Sequence, residues 1–181
     1  MTDLPSLRET LDAHGLSAKK SFGQHFLLDL NVTRKIVRLA GPFEGRAVIE
    51  VGPGPGGLTR ALLESDAGPV VLVEKDPRFL PLLSELDDGS GRLTIVQADA
   101  LKVKEADLVS SPAHLVSNLP YNVGTALLIK WLTGPWLPHS LTLMFQREVA
   151  ERVAAAPGED AYGRLAVISQ AVCTARVVMH L

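Results

Sequence analysis

Apolar positions along the chain follow two periods. Near the start they recur every three or four residues. Leu4, Leu7 and Leu11 predict a short amphipathic helix over Thr2–His14. A polar loop from Ser17, basic at its start, leads to a second helix over Leu30–Leu39, with Asp29 as N-cap and Gly41-Pro42 as its stop. From Arg46 onward short apolar runs alternate with helical segments. Ala47–Val51, Val70–Val73, Leu93–Val96, Ala113–Val116, Leu141–Phe145 and Ala175–Leu181 read as six strands. Leu58–Leu63, Pro77–Leu86, Gly124–Leu132, Glu148–Ala156 and Tyr162–Val172 read as helices. Alternating strands and helices predict an α/β fold, a mostly parallel sheet with helices on both faces.

Composition bounds the rest. A length of 181 residues fits one domain with a short appendage, and 46% hydrophobic residues supply its core. Charged residues at 21% in mixed sequence exclude a disordered chain. The single Cys173 excludes an internal disulfide framework and a cysteine-rich zinc site. No apolar run reaches membrane-spanning length, and no basic-then-apolar leader opens the chain, so a soluble, cytoplasmic protein is expected. A formal net charge of −2 argues against nucleic-acid binding until its distribution is read. Residues 17–46 hold Lys19, Lys20, Arg34, Lys35, Arg38 and Arg46 against Asp29 and Glu44, a local +4, so the remainder carries −6. That places a basic patch beside the segment that carries the candidate chemistry, although a solvated helix face would look the same.

The chemistry begins where the first strand of the alternating region runs into Gly52-Pro-Gly-Pro-Gly-Gly57. Glycines let a backbone turn sharply and let a ligand approach it closely. In an open α/β sheet, ligands lie at the carboxyl ends of the strands. Gly52, Gly54 and Gly57 fit the dinucleotide pattern G-x-G-x-x-G. Yet Glu50 stands just before the loop, and Pro53 and Pro55 withhold the N–H donors that a pyrophosphate wants. A nucleoside with an amino-acid tail fits better. Glu74 ends the next strand, where a carboxylate can accept from both ribose hydroxyls. Asp99 follows the third strand, where an acid can accept from an exocyclic adenine amine. NAD would explain Glu74 alone; S-adenosylmethionine explains Glu74, Asp99 and the phosphate-poor loop together.

The fourth strand ends in Asn118-Leu119-Pro120-Tyr121. An adenine N6 amine is a poor nucleophile, because its lone pair is delocalised into the ring. The Asn118 side-chain oxygen and the Leu119 carbonyl can hold its two hydrogens and favour rehybridisation. Pro120 restricts Leu119 to an extended conformation and so aims that carbonyl. Tyr121 offers a face for a flipped base. An Asx-turn beside a buried tyrosine is the plainer alternative.

With these residues assembled, the chain resembles the S-adenosylmethionine-dependent ribosomal RNA adenine N6,N6-dimethyltransferases, and within them the bacterial small-subunit members. The likeness runs from about Lys19 to Leu181 and takes in 20–29, the glycine loop, 73–76, 97–100, 118–122, 145–152 and 161–165. The resemblance implies a Rossmann-like methyltransferase domain over 46–181 and an extension over 1–45 that closes over the cofactor. It implies cofactor contacts at Gln24, His25, Leu27, Glu50, Gly52, Gly54, Glu74, Lys75, Asp99, Ala100 and Asn118, with Asn118, Leu119, Pro120 and Tyr121 handling the target base. His25 stands where many bacterial members have Asn. RNA contacts are expected at Lys19, Lys20, Arg34, Lys35 and Arg147. The implied substrate is two adjacent adenines near the 3′ end of 16S rRNA in the small subunit or its precursor, modified by a monomer that needs no metal. The family continues past the sixth strand with a Phe-x-Pro-x-Pro segment, a final strand and a helical domain. The chain stops before these, so a truncated form that binds cofactor without methyl transfer is expected. A non-catalytic assembly module and a nicotinamide-dependent oxidoreductase are the competing readings; the second leaves the tetrapeptide without a role.

Overall fold

The structure is a computed structural model that describes residues 5–16 and 27–181. Its centre is a sheet of five strands, β1 (Val48–Val51), β2 (Val70–Glu74), β3 (Leu93–Gln97), β4 (His114–Asn118) and β5 (Ser140–Met144), in the order β3-β2-β1-β4-β5. Every pairing is parallel. The order reverses between β1 and β4, which makes that junction the switch point of the sheet.

The central strands are buried throughout, as parallel strands covered on both faces must be. Successive residues face opposite ways. Val48, Val70, Leu72 and Val116 meet Ile36 and Val37 of α2 (Leu30–Ala40), Leu58 and Leu62 of α3 (Gly57–Leu63), and Leu83 of α4 (Leu80–Ser84). Ile49, Val51, Val71, Val73 and Leu115 meet Leu127 and Trp131 of α5 (Gly124–Thr133). Leu128 and Leu132 of α5 pack against Leu165 of α7 (Arg164–Val172) and Val149 of α6 (Arg147–Ala154).

The second helix forms with the N-cap its sequence predicts, while the first, expected from Thr2, begins at Leu7. Ser6 and Glu9 make a reciprocal capping box on α1 (Leu7–Ala13), and Asp29 accepts from the Asn31 N–H at the start of α2. Two expectations need correction. The single helix over Pro77–Leu86 is a 3₁₀ turn at Pro77–Phe79 followed by the short α4. Pro81 causes the break: it has no N–H for the carbonyl of Pro77 and serves instead in the first turn of a new helix. The sixth strand is absent: 174–181 has no regular structure and pairs with none of the five strands. An apolar β-rich run becomes a strand only when a neighbour takes its N–H and carbonyl groups. Met179 instead packs against the cluster on the α2 face.

Candidate active site at the switch point

The glycine loop leaves β1 in a conformation that L side chains avoid. Gly52, Gly54 and Gly56 have φ of +66°, +53° and +87°. The Gly52 N–H donates to the Val73 carbonyl at 2.9 Å, so the turn stays tied to β2. A Cβ on Gly52 would lie 3.5 Å from the ring of Pro120. The glycine loop and the Asn-Leu-Pro-Tyr tetrapeptide, sixty-odd residues apart in sequence, therefore touch across the switch point.

Glu74 finishes β2 beside this loop and is nearly buried. Its Oε2 accepts from the Gly54 N–H at 3.0 Å and its Oε1 from the Asp76 N–H at 2.7 Å. Burial raises its pKa, and these backbone bonds oppose the rise. Glu50 lies deeper, 1% exposed, and its Oε2 accepts from the Thr59 hydroxyl at 2.7 Å. Burial pushes its pKa up to about 8; the Thr59 bond works against the shift and the nearby Glu74 adds to it. Glu50 is thus tied through Thr59 to α3, the helix that follows the loop.

Asp99 follows β3. It accepts from Lys75 Nζ at 2.9 Å and from the Leu101 N–H at 3.1 Å. The Lys75 bond, above all, lowers its pKa, which keeps it an acceptor. Ala100 lies next to it in the same turn. At the end of β4, the Ser117 hydroxyl donates to the Val51 carbonyl and pins the two strands at the crevice. Asn118 is half-buried, Leu119 is buried and Tyr121 is 53% exposed. The Pro120 carbonyl accepts from the N–H groups of Val123 and Gly124 and so begins α5 directly behind the tetrapeptide.

Leu27 reaches the site from the N-terminal side. A Cβ on Gly57 would stand 2.3 Å from the Leu27 carbonyl oxygen and 3.1 Å from Leu7, so only glycine admits that approach. Arg60 completes the attachment: its guanidinium donates to the Pro5 carbonyl and, at 3.0 Å, to the Thr10 hydroxyl. Sequence reading passed over Arg60, because a basic residue on an amphipathic helix reads as solvated. Gln24, His25, Lys19 and Lys20 lie outside the described residues.

Of the basic residues expected to meet RNA, Arg34 makes a two-pronged bond to Glu64 at 2.7 and 2.9 Å, and Arg147 bonds Glu151 at 2.7 Å. Both are exposed, as is Lys35. They lie on two elements: Arg34 and Lys35 on α2, and Arg147 at the start of α6, three residues after Met144, which pairs with Asn118. Among the described residues no group of three or more His, Cys, Asp or Glu is placed to hold a metal ion. None of their helices is long and apolar enough to cross a membrane.

Residues 15–181 match the ribosomal RNA adenine dimethylase family, and the chain belongs to it. It is 71% identical over 179 residues to the ribosomal RNA small subunit methyltransferase A of Phenylobacterium zucineum, covering 98% of this chain and 62% of that protein. The protein of the same name from Caulobacter vibrioides is 68% identical over 165 residues, covering 91% of this chain and 64% of that one. The chain therefore spans somewhat under two thirds of the length of these curated relatives. Among solved structures, a dimethyladenosine transferase from Plasmodium falciparum superposes with a TM-score of 0.70 at 29% identity, covering 81% of this chain and 52% of that one. The 23S rRNA methyltransferase ErmE superposes with a TM-score of 0.66 at 29% identity, covering 79% of this chain and 56% of that one. The fold is the Rossmann-like fold of the S-adenosylmethionine-dependent methyltransferases.

Proposed function

We propose that the chain carries the cofactor-binding and catalytic part of an S-adenosylmethionine-dependent enzyme that dimethylates N6 of two adjacent adenines near the 3′ end of 16S rRNA. The observation that carries this reading is the contact of Gly52 with Pro120 at the switch point, with Glu74, Asp99 and Asn118 at the ends of the adjoining strands. One crevice then holds the acceptors for a nucleoside and the acceptors for a target amine.

The residues fit that cofactor. The turn at Gly52 and Gly54 puts backbone, not side chains of its own, against a ligand, Glu74 is a carboxylate for the ribose hydroxyls, and Asp99 is a held carboxylate for an adenine amine. Lys75 and Ala100 flank these acids, while Glu50 is tied through Thr59 to the helix that follows the loop. When bound, S-adenosylmethionine supplies a sulfonium methyl group, which adenine N6 takes by direct in-line displacement. Asn118 and the Leu119 carbonyl hold the two N6 hydrogens and turn its lone pair toward the methyl carbon. Tyr121 presents its exposed ring to the extruded base. These groups act by position and by preset hydrogen bonds. The N-terminal extension over 1–45 closes over the cofactor, with cofactor contacts from Gln24, His25 and Leu27. Lys19, Lys20, Arg34, Lys35 and Arg147 meet the RNA backbone, Arg34 and Arg147 by exchanging their carboxylate partners for phosphates. The enzyme works as a cytoplasmic monomer.

Two measurements test the reading. S-adenosylhomocysteine should raise the melting temperature of this chain, and NADH should not; protection by NADH alone would replace the reading with the oxidoreductase. In a chain carried to the full length of its relatives, Asn118→Ala should lower methyl transfer to 16S rRNA by about a hundred- to thousandfold, far more than it weakens cofactor binding. Near-parental methylation would remove Asn118 from the mechanism.

A further inference from the structure

The loop between β3 and β4 holds Asp99 and Ala100, yet it has little regular structure of its own. What fixes it comes from α5. Lys130 Nζ donates to the Ala100 carbonyl at 2.7 Å, to the Val103 carbonyl at 2.6 Å and to Glu105 Oε1 at 2.6 Å. An ammonium has three N–H bonds, and all three are used. The indole N–H of Trp131 donates to the same Glu105 oxygen at 2.7 Å, and that indole is buried in the core. Glu105 is itself buried. The first half of the loop is therefore tied to α5 at three points, Ala100, Val103 and Glu105.

The same helix serves the other half of the crevice. Its first turn is hung on the Pro120 carbonyl, directly behind Asn118 and Leu119. Lys130 follows two turns later, about 10 Å along the axis. A single rigid element thus sets the spacing between the tetrapeptide and the loop of Asp99. Neither end can shift without straining bonds at the other.

We propose that Lys130 and Glu105 are positioning residues of the cofactor site, holding the Asp99–Ala100 turn where it recognises the adenine and coupling that turn through α5 to the Asn118–Tyr121 segment. The proposal rests on the reading of the crevice as an S-adenosylmethionine site. A structural tie alone would stabilise the fold; a positioning role also sets base selectivity, because the Asp99 carboxylate accepts from the exocyclic amine only when the turn is in place.

The test compares S-adenosylhomocysteine with S-inosylhomocysteine, which has a carbonyl where adenine has its amine. Affinities for both are measured by calorimetry with this chain, well below its melting temperature. The parent should prefer the adenine compound. Lys130→Met should weaken the adenine compound by about tenfold and the inosine compound by much less, so that the preference collapses. Glu105→Gln keeps the shape and an acceptor for Trp131 but removes the charge facing Lys130; it carries the same expectation if Lys130→Met does not fold. An unchanged preference in a folded variant would overturn the proposal, as would equal weakening of both compounds. A parent that binds neither compound would instead overturn the cofactor reading, and the proposal with it.

Discussion

The crevice at the switch point has two unlike banks. On the side of β1, β2 and β3, the carboxylates are already engaged. Glu74 is nearly buried and takes two backbone N–H groups, Glu50 is buried against Thr59, and Asp99 is held by Lys75 and by its own turn. On the side of β4 and β5, Tyr121 stands 53% exposed and β5 is only half-buried along its length. A small ligand is bound most tightly by groups that need no rearrangement, because ordering them at the moment of binding costs affinity. A macromolecule brings its own bulk and covers what the protein leaves open. The contrast between held carboxylates and an exposed ring is what the proposed function needs: a preset bank for a small molecule and an open bank for a nucleotide presented by RNA.

Variants on the two banks should fail in different ways. The largest effect is expected from Glu74→Ala. It removes the proposed ribose acceptors and strands the Gly54 and Asp76 N–H groups, so affinity for S-adenosylhomocysteine should fall by about a hundredfold, read by calorimetry. If binding is unchanged, the nucleoside does not lie on Glu74.

A second effect is read in pH. Glu50 has its pKa raised from 4.5 to about 8, and Glu74 is shifted the same way. A raised carboxylate contributes stability that is fully present below its ordinary pKa and is lost as the pH climbs through the folded value. The chain should therefore lose stability between pH 4.5 and about 8. Glu50→Gln removes one of the groups responsible, and should visibly flatten the slope across that window. Parallel melting-temperature profiles for the two proteins would place the slope elsewhere.

The smallest effect belongs to the open bank. Tyr121→Ala should raise KM for the RNA substrate by about tenfold, since stacking contributes about 1–3 kcal/mol per base. It should leave S-adenosylhomocysteine binding and melting temperature close to the parent. A loss of cofactor affinity would show that the two banks are not separate.

Much of the preset bank is legible in the sequence because its signals are local. Gly52, Gly54, Glu74 and Asp99 each follow a strand closely, and the strand is marked by its own apolar run. The tetrapeptide is legible for the same reason. What escapes is what depends on distant partners. Lys130 reads as a solvated helix lysine until the 99–105 loop is seen folded onto it. Arg60 is hidden in the same way by the Pro5 carbonyl. Gly57 fits the spacing of a nucleotide loop, yet its tightest constraint is the Leu27 carbonyl, thirty residues earlier. The run at 175–181 has strand composition but no strand beside it. Composition cannot supply the neighbour that a strand requires.

The strand order has a consequence for how the molecule comes into being. β1 lies between β2 and β4, and the last of these follows it by more than sixty residues. A chain made from its N-terminus can join β1 to β2 and β3 early, but the other edge of β1 stays unpaired while 75–113 is added. That edge belongs to a strand that is buried along its whole length in the folded chain, and such an edge invites pairing with other chains. The crevice between β1 and β4 therefore closes only once 114–118 has been made, and until then the free edge of β1 is the part of the nascent sheet open to mispairing.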